Sequence, residues 1–130
     1  MQMMIDFPGG ARVDAHFDGL TVATDQPAPT GANAAASPFL TFLASIGTCA
    51  GIYVLGFCQS RGLSTTGIRI LQSMRVEPAT GMVTNVNLDI VIPADFPEKY
   101  KPALIKAADQ CKVKKHLEHP PAFEVKTVVG

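Results

Sequence analysis

From Ser37 to Cys58 the chain runs without a single charged residue. The run opens on Ser37-Pro38, an N-cap serine followed by proline at the first helical position, and closes with Arg61 in the last turn and Gly62 as a left-handed terminator. A helix of this length is about as long as a membrane span, which needs roughly 20 predominantly apolar residues. Its composition points elsewhere. Ser45, Gly47, Thr48, Gly51 and Gly56 dilute the hydrophobicity, no basic cluster flanks it, and strand-like segments stand on both sides. A helix apolar on every face is also what the centre of a soluble core looks like, and that is the expectation here: no membrane.

The rest of the chain must cover this helix, and 130 residues with 47% hydrophobic content suit a single domain over 1–130. Lys+Arg and Asp+Glu balance at 11 each, so no net charge draws the protein to nucleic acid or anionic lipid. Three cysteines fit no disulfide-stapled secreted framework, and Met1 to Asp6 lacks the basic start and apolar run of a signal peptide. The expected location is cytoplasmic, with the thiols reduced at rest.

Strands flank the helix. Val13–Phe17 and Leu20–Ala23 are joined by Asp18-Gly19, a strong two-residue hairpin signal. Ile68–Val76 and Val83–Ile92, joined by Glu77 to Gly81, form a second hairpin, with Val86, Leu88, Ile90 and Ile92 at strand period. Asp95 and Glu98 have the spacing of a capping box, with Pro97 in the first turn of a helix whose firm part runs from Ala103 to Asp109 once Pro102 has shortened it. Cys111 opens a second short, basic helix ending before His119-Pro120-Pro121, and a closing strand is expected over Phe123–Val129. The loop from Thr24 to Ala36 is long for a small domain, which marks it as functional or mobile. The order of elements is α+β. Gly47 and Gly51, one helical turn apart, either let a shorter helix pack close or face a second copy of the chain.

Two thiols stand out chemically. Cys49 sits in the middle of the uncharged run, and Cys111 adjoins Lys112, Lys114, Lys115 and His116, the most basic stretch. One buried and one cation-flanked thiol suggest a two-cysteine redox site. A buried cysteine is usually a small hydrophobe, so the pattern alone leaves Cys49 open between reactivity and packing. Cys58, nine residues on and about 180° around the helix, reads as core. Cys111, His116 and His119 have no second cysteine at ligand spacing, so a zinc site is disfavoured.

Ser37-Pro38-Phe39 running into Cys49, together with Cys111 near the start of a later helix, resembles the central-helix motif of the OsmC/Ohr superfamily. Ala44 to Cys58 and Cys111 to His116 are most similar to its YhfA-like branch. The resemblance covers about Arg12 to Val128, and Gly9-Gly10-Ala11-Arg12 resembles the segment that supplies the family's active-site arginine.

The resemblance implies an intertwined homodimer with antiparallel sheets wrapped around paired central helices and active sites at the subunit interface. It implies thiol-dependent reduction of organic hydroperoxides or hydrogen peroxide, with Cys49 as peroxidatic thiol, Cys111 resolving it as a disulfide and a dithiol reductant reopening that bond. That chemistry requires neither a metal nor an organic cofactor. Two positions depart from the family pattern. Family peroxidases hold the arginine with a glutamate, and here the glutamate position is Phe39; the proline common after the second cysteine is Lys112. Arg12 is then left unheld, or Lys112, Lys114 or Lys115 supplies the cation. The alternative implied by Phe39 is a non-catalytic dimer of the same fold that binds a small apolar ligand or senses oxidation.

Overall fold

Asp18 and Gly19 both take left-handed backbone, with φ of 50° and 74°, which is what a tight hairpin turn between right-twisted strands requires. In this computed structural model, which describes Met1 to Gly130, that turn joins β2 (Arg12–Phe17) to β3 (Leu20–Thr24). A strand that the sequence reading missed, β1 (Met4–Gly9), pairs antiparallel on the other side of β2, with Ile5 opposite Ala15 and Asp6 opposite Asp14. Pro8 inside β1 hides its strand character, but proline is tolerated on an edge strand, where β1 lies.

The chain divides into two compact units, Met1–Ser45 and Ile46–Gly130. Besides this three-stranded sheet, the first unit contains the long loop after β3, and the loop is organised by one buried side chain. Asp25, 1% exposed, accepts hydrogen bonds from the backbone N–H groups of Gln26 (2.7 Å), Ala34 (3.0 Å) and Ala32 (3.3 Å). These N–H groups, Ala34 foremost, hold the Asp25 carboxyl below the usual carboxylate range against the opposing effect of burial. A methyl group at Gly31 would overlap both the Gln26 carbonyl and the Asp25 carboxylate, so only glycine closes the loop this way.

The helix α1 (Pro38–Ser60) starts in the first unit and continues through the second. Its serine cap and glycine terminator form as expected, whereas Arg61 lies just past the last helical residue, Ser60, and not in the last turn. Ser37 Oγ accepts the Leu40 N–H at 3.2 Å. Gly62, at φ 64°, lets its own N–H reach the Gln59 carbonyl and that of Leu63 reach Cys58, so two of the last carbonyls are satisfied. The Arg61 guanidinium lies 3.7 Å over the Phe57 ring.

In the second unit, Ala50, Val54, Phe57 and Cys58 form a buried stripe of α1. It packs with Phe96, with Leu104 and Ala108 of α2 (Lys101–Ala108), and with Ile70, Leu88 and Ile90 of the antiparallel pair β4 (Arg69–Val76) and β5 (Val83–Val91). Each large apolar side chain fully buried here contributes about 1.5–3 kcal/mol. Gly47 and Gly51 face β4: a Cβ on Gly47 would collide with the Gln72 side-chain oxygen, and one on Gly51 would touch Ile70 at 3.8 Å. Within the chain, the neighbour of the two glycines is therefore a sheet strand and not a shorter helix.

Three local expectations need correction. No capping box forms at Asp95 and Glu98; a 3₁₀ turn at Glu98–Tyr100 leads into α2 instead, with no side-chain cap. Pro102 sits within the first two positions of α2, where its missing N–H has no helical partner to lose, so it does not shorten the helix. Phe123–Val129 is not a strand. It has no neighbouring strand to complete its hydrogen bonds, and Phe123, Val125 and Val128 are more than 80% exposed.

Candidate functional site

The third helix, α3 (Lys112–Glu118), begins directly after Cys111, and its first turn presents backbone N–H groups that no helical carbonyl can reach. Sulfur atoms receive them. The Cys111 thiol, acting as N-cap, accepts the Lys114 N–H at 3.3 Å. The N–H groups of Val113 and Lys112 are directed to the sulfur of Cys49, on the neighbouring face of α1. Cys111 is 2% exposed, and its single S–H is shared between the Ile46 carbonyl, at 3.8 Å, and Cys49. The structure thus brings together the two cysteines expected from sequence. All three cysteines are free thiols.

The pair is electrostatically asymmetric. Burial alone would push the Cys49 thiol up, but the Val113 N–H, the Cys111 thiol, the Lys112 N–H and the Lys112 charge outweigh it and hold Cys49 below the ordinary thiol value. Burial pushes Cys111 up, as does its hydrogen bond to Cys49, with only partial relief from the Lys114 and Val113 N–H groups. Cys49 is partly accessible and Cys111 is buried. Cys49 is therefore the more acidic thiol of the pair, and Cys111 donates to it. Cys58, fully buried among Val54, Phe57 and Leu104, is raised by burial and belongs to the core.

Of the lysines after Cys111, Lys112 is the one whose charge lowers Cys49. Lys114 is held in ion pairs with Asp109 and with Glu118, the latter at 3.7 Å, and Lys115 reaches Gln110 at 3.4 Å. His116 donates Nδ1–H to the Lys112 carbonyl at 2.7 Å and is exposed, as is His119. A cleft of about 430 Å³ reaches Cys111, walled by Ile46, Leu88, Ile90 and Ala108, with Asp89 and Lys114 also in its lining.

Arg12 lies on β2 in the first unit and is not unheld: its guanidinium bonds the Asp14 carboxylate at 3.0 Å. The carboxylate that Arg12 pairs with is two residues along the same strand, and not at position 39. Phe39 is 53% exposed and stacks, tilted, on Phe42 at a centroid distance of 5.9 Å.

The part of this site that sequence reasoning missed is the backbone of Lys112 and Val113. A cysteine placed immediately before a short helix is the available signal, since an N-cap sulfur brings the first-turn N–H groups to whatever lies opposite.

A family model described as OsmC-like protein matches residues 31–126. No curated protein matches the sequence. Solved structures share the fold at low identity. A Psychrobacter arcticus protein named for osmotic stress induction and detoxification response has a TM-score of 0.73 and 19% identity, covering 88% of this chain and 86% of its own. An OsmC-like protein of unknown function from Vibrio cholerae gives 0.64 and 10% identity over 90% and 92%. The organic hydroperoxide resistance protein OhrB of Bacillus subtilis gives 0.50 and 17% over 89% and 90%.

Proposed function

The chain belongs to the OsmC-like family, and from that membership together with its asymmetric thiol pair we propose that it is a thiol-dependent peroxidase of oxidative-stress defence, with Cys49 as nucleophile and Cys111 as resolving thiol. The observation that carries this reading is the opposite displacement of the two acidities at one hydrogen-bonded pair. The Bacillus neighbour named for organic hydroperoxide resistance supports the substrate class.

The chemistry balances without a cofactor. The Cys49 thiolate attacks one peroxide oxygen, the O–O bond breaks, and the second oxygen leaves as an alcohol or water after taking a proton, so that Cys49 becomes a sulfenic acid. Cys111 then attacks the Cys49 sulfur, forming the disulfide and releasing water. A dithiol reductant reopens the bond, becoming a disulfide itself. Lys112 and the first-turn N–H groups of α3 stabilise the attacking thiolate.

A homodimer belongs to the same reading. The apolar window of α1 has a mean hydropathy of 1.8 and would be long enough to cross a membrane, yet only 22% of it is buried by its own chain. Ile52 is 58% exposed on it. A second copy covering this face, in a cytoplasmic protein, accounts for such a helix in a chain whose family fold has a helix at its centre. Light scattering should give twice the chain mass at micromolar concentration; a stable monomer would remove this part of the proposal.

The second reading, a dimer that binds an apolar ligand or senses oxidation without turnover, is favoured by Phe39 at the family's glutamate position. A consumption assay with cumene hydroperoxide and hydrogen peroxide, supplied with dihydrolipoamide or dithiothreitol, separates the two. Sustained consumption abolished by Cys49→Ser supports the peroxidase. Oxidation that stops after one equivalent per chain supports the sensor.

A further inference from the structure

On the sheet of the first unit, Asp6 and Asp14 are direct cross-strand partners, a placement in which like charges repel. His16, two residues along β2 and on the same face as Asp14, completes a cluster in which one ligating atom from each residue lies within 4.8 Å of the others. Asp14 has a side chain 7% exposed, and only one of its oxygens is satisfied: Oδ2 accepts from Arg12 at 3.0 Å, whereas the buried Oδ1 has no hydrogen-bond partner. A buried carboxylate with an unpartnered oxygen, close to a second carboxylate, can take a cation in addition to Arg12. The histidine is arranged to help provide for one. Its Nδ1 lies 2.9 Å from Thr21 Oγ1, and in the tautomer that donates Nδ1–H to that oxygen, Nε2 presents its lone pair toward Asp6 Oδ1, 3.1 Å away.

We propose that Asp6, Asp14 and His16 bind a first-row divalent cation such as Zn²⁺, with Thr21 orienting the histidine and Arg12 retaining the second Asp14 oxygen. Ligand atoms around such an ion at 2.0–2.2 Å stand about 3–4 Å apart, so modest side-chain rotation closes the three onto it. Asp6 and His16 are partly exposed, which leaves a path for the ion and room for water as further ligand. The ion ties β1 to β2 across the like-charged pair. This cluster shares no residue with the thiol pair.

The test is a Co²⁺ titration of the native, chelator-stripped chain, followed by displacement with Zn²⁺. One equivalent should bind with weak visible d–d bands and no sulfur-to-cobalt charge transfer, and Zn²⁺ should raise the melting temperature. Asp6→Asn and His16→Gln should each abolish binding, Thr21→Val should weaken it by about 10–100-fold, and Cys49→Ser/Cys111→Ser should leave it unchanged. Failure of the native chain to bind Co²⁺ overturns the site. So does a bound ion with a thiolate charge-transfer band that persists in His16→Gln, and this spectral criterion holds even where a variant folds poorly.

Discussion

Cys49 and Cys111 share the first turn of one helix: the N–H groups of Val113 and Lys112 serve the first sulfur, that of Lys114 serves the second, and Val113 gives the second only a minor share. The division fixes which thiol ionises first. With a hydrogen bond between them, the two titrate as a pair whose lower step belongs chiefly to Cys49.

Alkylation should therefore discriminate among the cysteines. Cys49 should react with iodoacetamide fastest, with a pH midpoint below that of an ordinary thiol at about 8.5. Cys111 and Cys58 should react slowly throughout the neutral range, since burial raises both. Lys112→Gln removes only the charge and should slow Cys49 modestly at neutral pH. Lys112→Pro removes charge and N–H together while suiting the first helical position and the extended backbone of Cys111, so it should slow Cys49 further with the helix intact. Peptide mapping after timed alkylation measures this; equal rates for the three thiols would refute the assignment.

The loop after β3 should carry an acid-sensitive part of the stability. Asp25 has its carboxyl lowered by the N–H groups of Ala34, Gln26 and Ala32, so its stabilisation is fully present above the unfolded carboxylate pKa and is lost as pH falls through the folded value. Asp25→Asn should lower the melting temperature at neutral pH, and the gap to the native protein should narrow as pH drops below the ordinary carboxylate range. Gly31→Ala should be destabilising at every pH, because its methyl overlap does not titrate. Thermal melts across an acid series check both; a gap that stays constant for Asp25→Asn would contradict the role given to the carboxylate.

The two hairpins, the central helix with both its ends, the helix after Cys111 and the meeting of Cys49 with Cys111 were legible in the sequence, because each is announced by local chemistry or by the family motif. What escaped depends on partners distant in sequence. Strand β1 is revealed only by its pairing with β2, and Asp25 only by the three N–H groups of a loop that closes around it. The partner of Gly47 and Gly51 is a sheet, a choice that helical spacing alone cannot make. For Phe123–Val129 the error ran the other way: β propensity without a neighbouring strand does not make a strand.

Phe39 marks the departure from the family peroxidases, and its replacement measures how much that departure matters. Phe39→Glu should raise the second-order rate with peroxide several-fold if Arg12 acts at the Cys49 site, and Arg12→Ala should cancel the gain. Asp14 already holds Arg12, so the new carboxylate competes with an existing 3.0 Å pair, and the gain should be smaller than that of an unheld arginine. Rates for the native protein, both single variants and the double variant form the cycle. No gain, with Arg12→Ala also silent, assigns the cation role to Lys112.

The most direct test of the two-thiol account is the fate of the sulfurs after a single equivalent of cumene hydroperoxide. Non-reducing peptide mapping of the native chain should find one disulfide, between Cys49 and Cys111 of the same chain, with Cys58 still a free thiol in the core. In Cys111→Ser the reaction should stop at a Cys49 sulfenic acid that a dimedone reagent traps. A bridge that includes Cys58, or peroxide treatment that leaves both Cys49 and Cys111 as free thiols, would contradict the account.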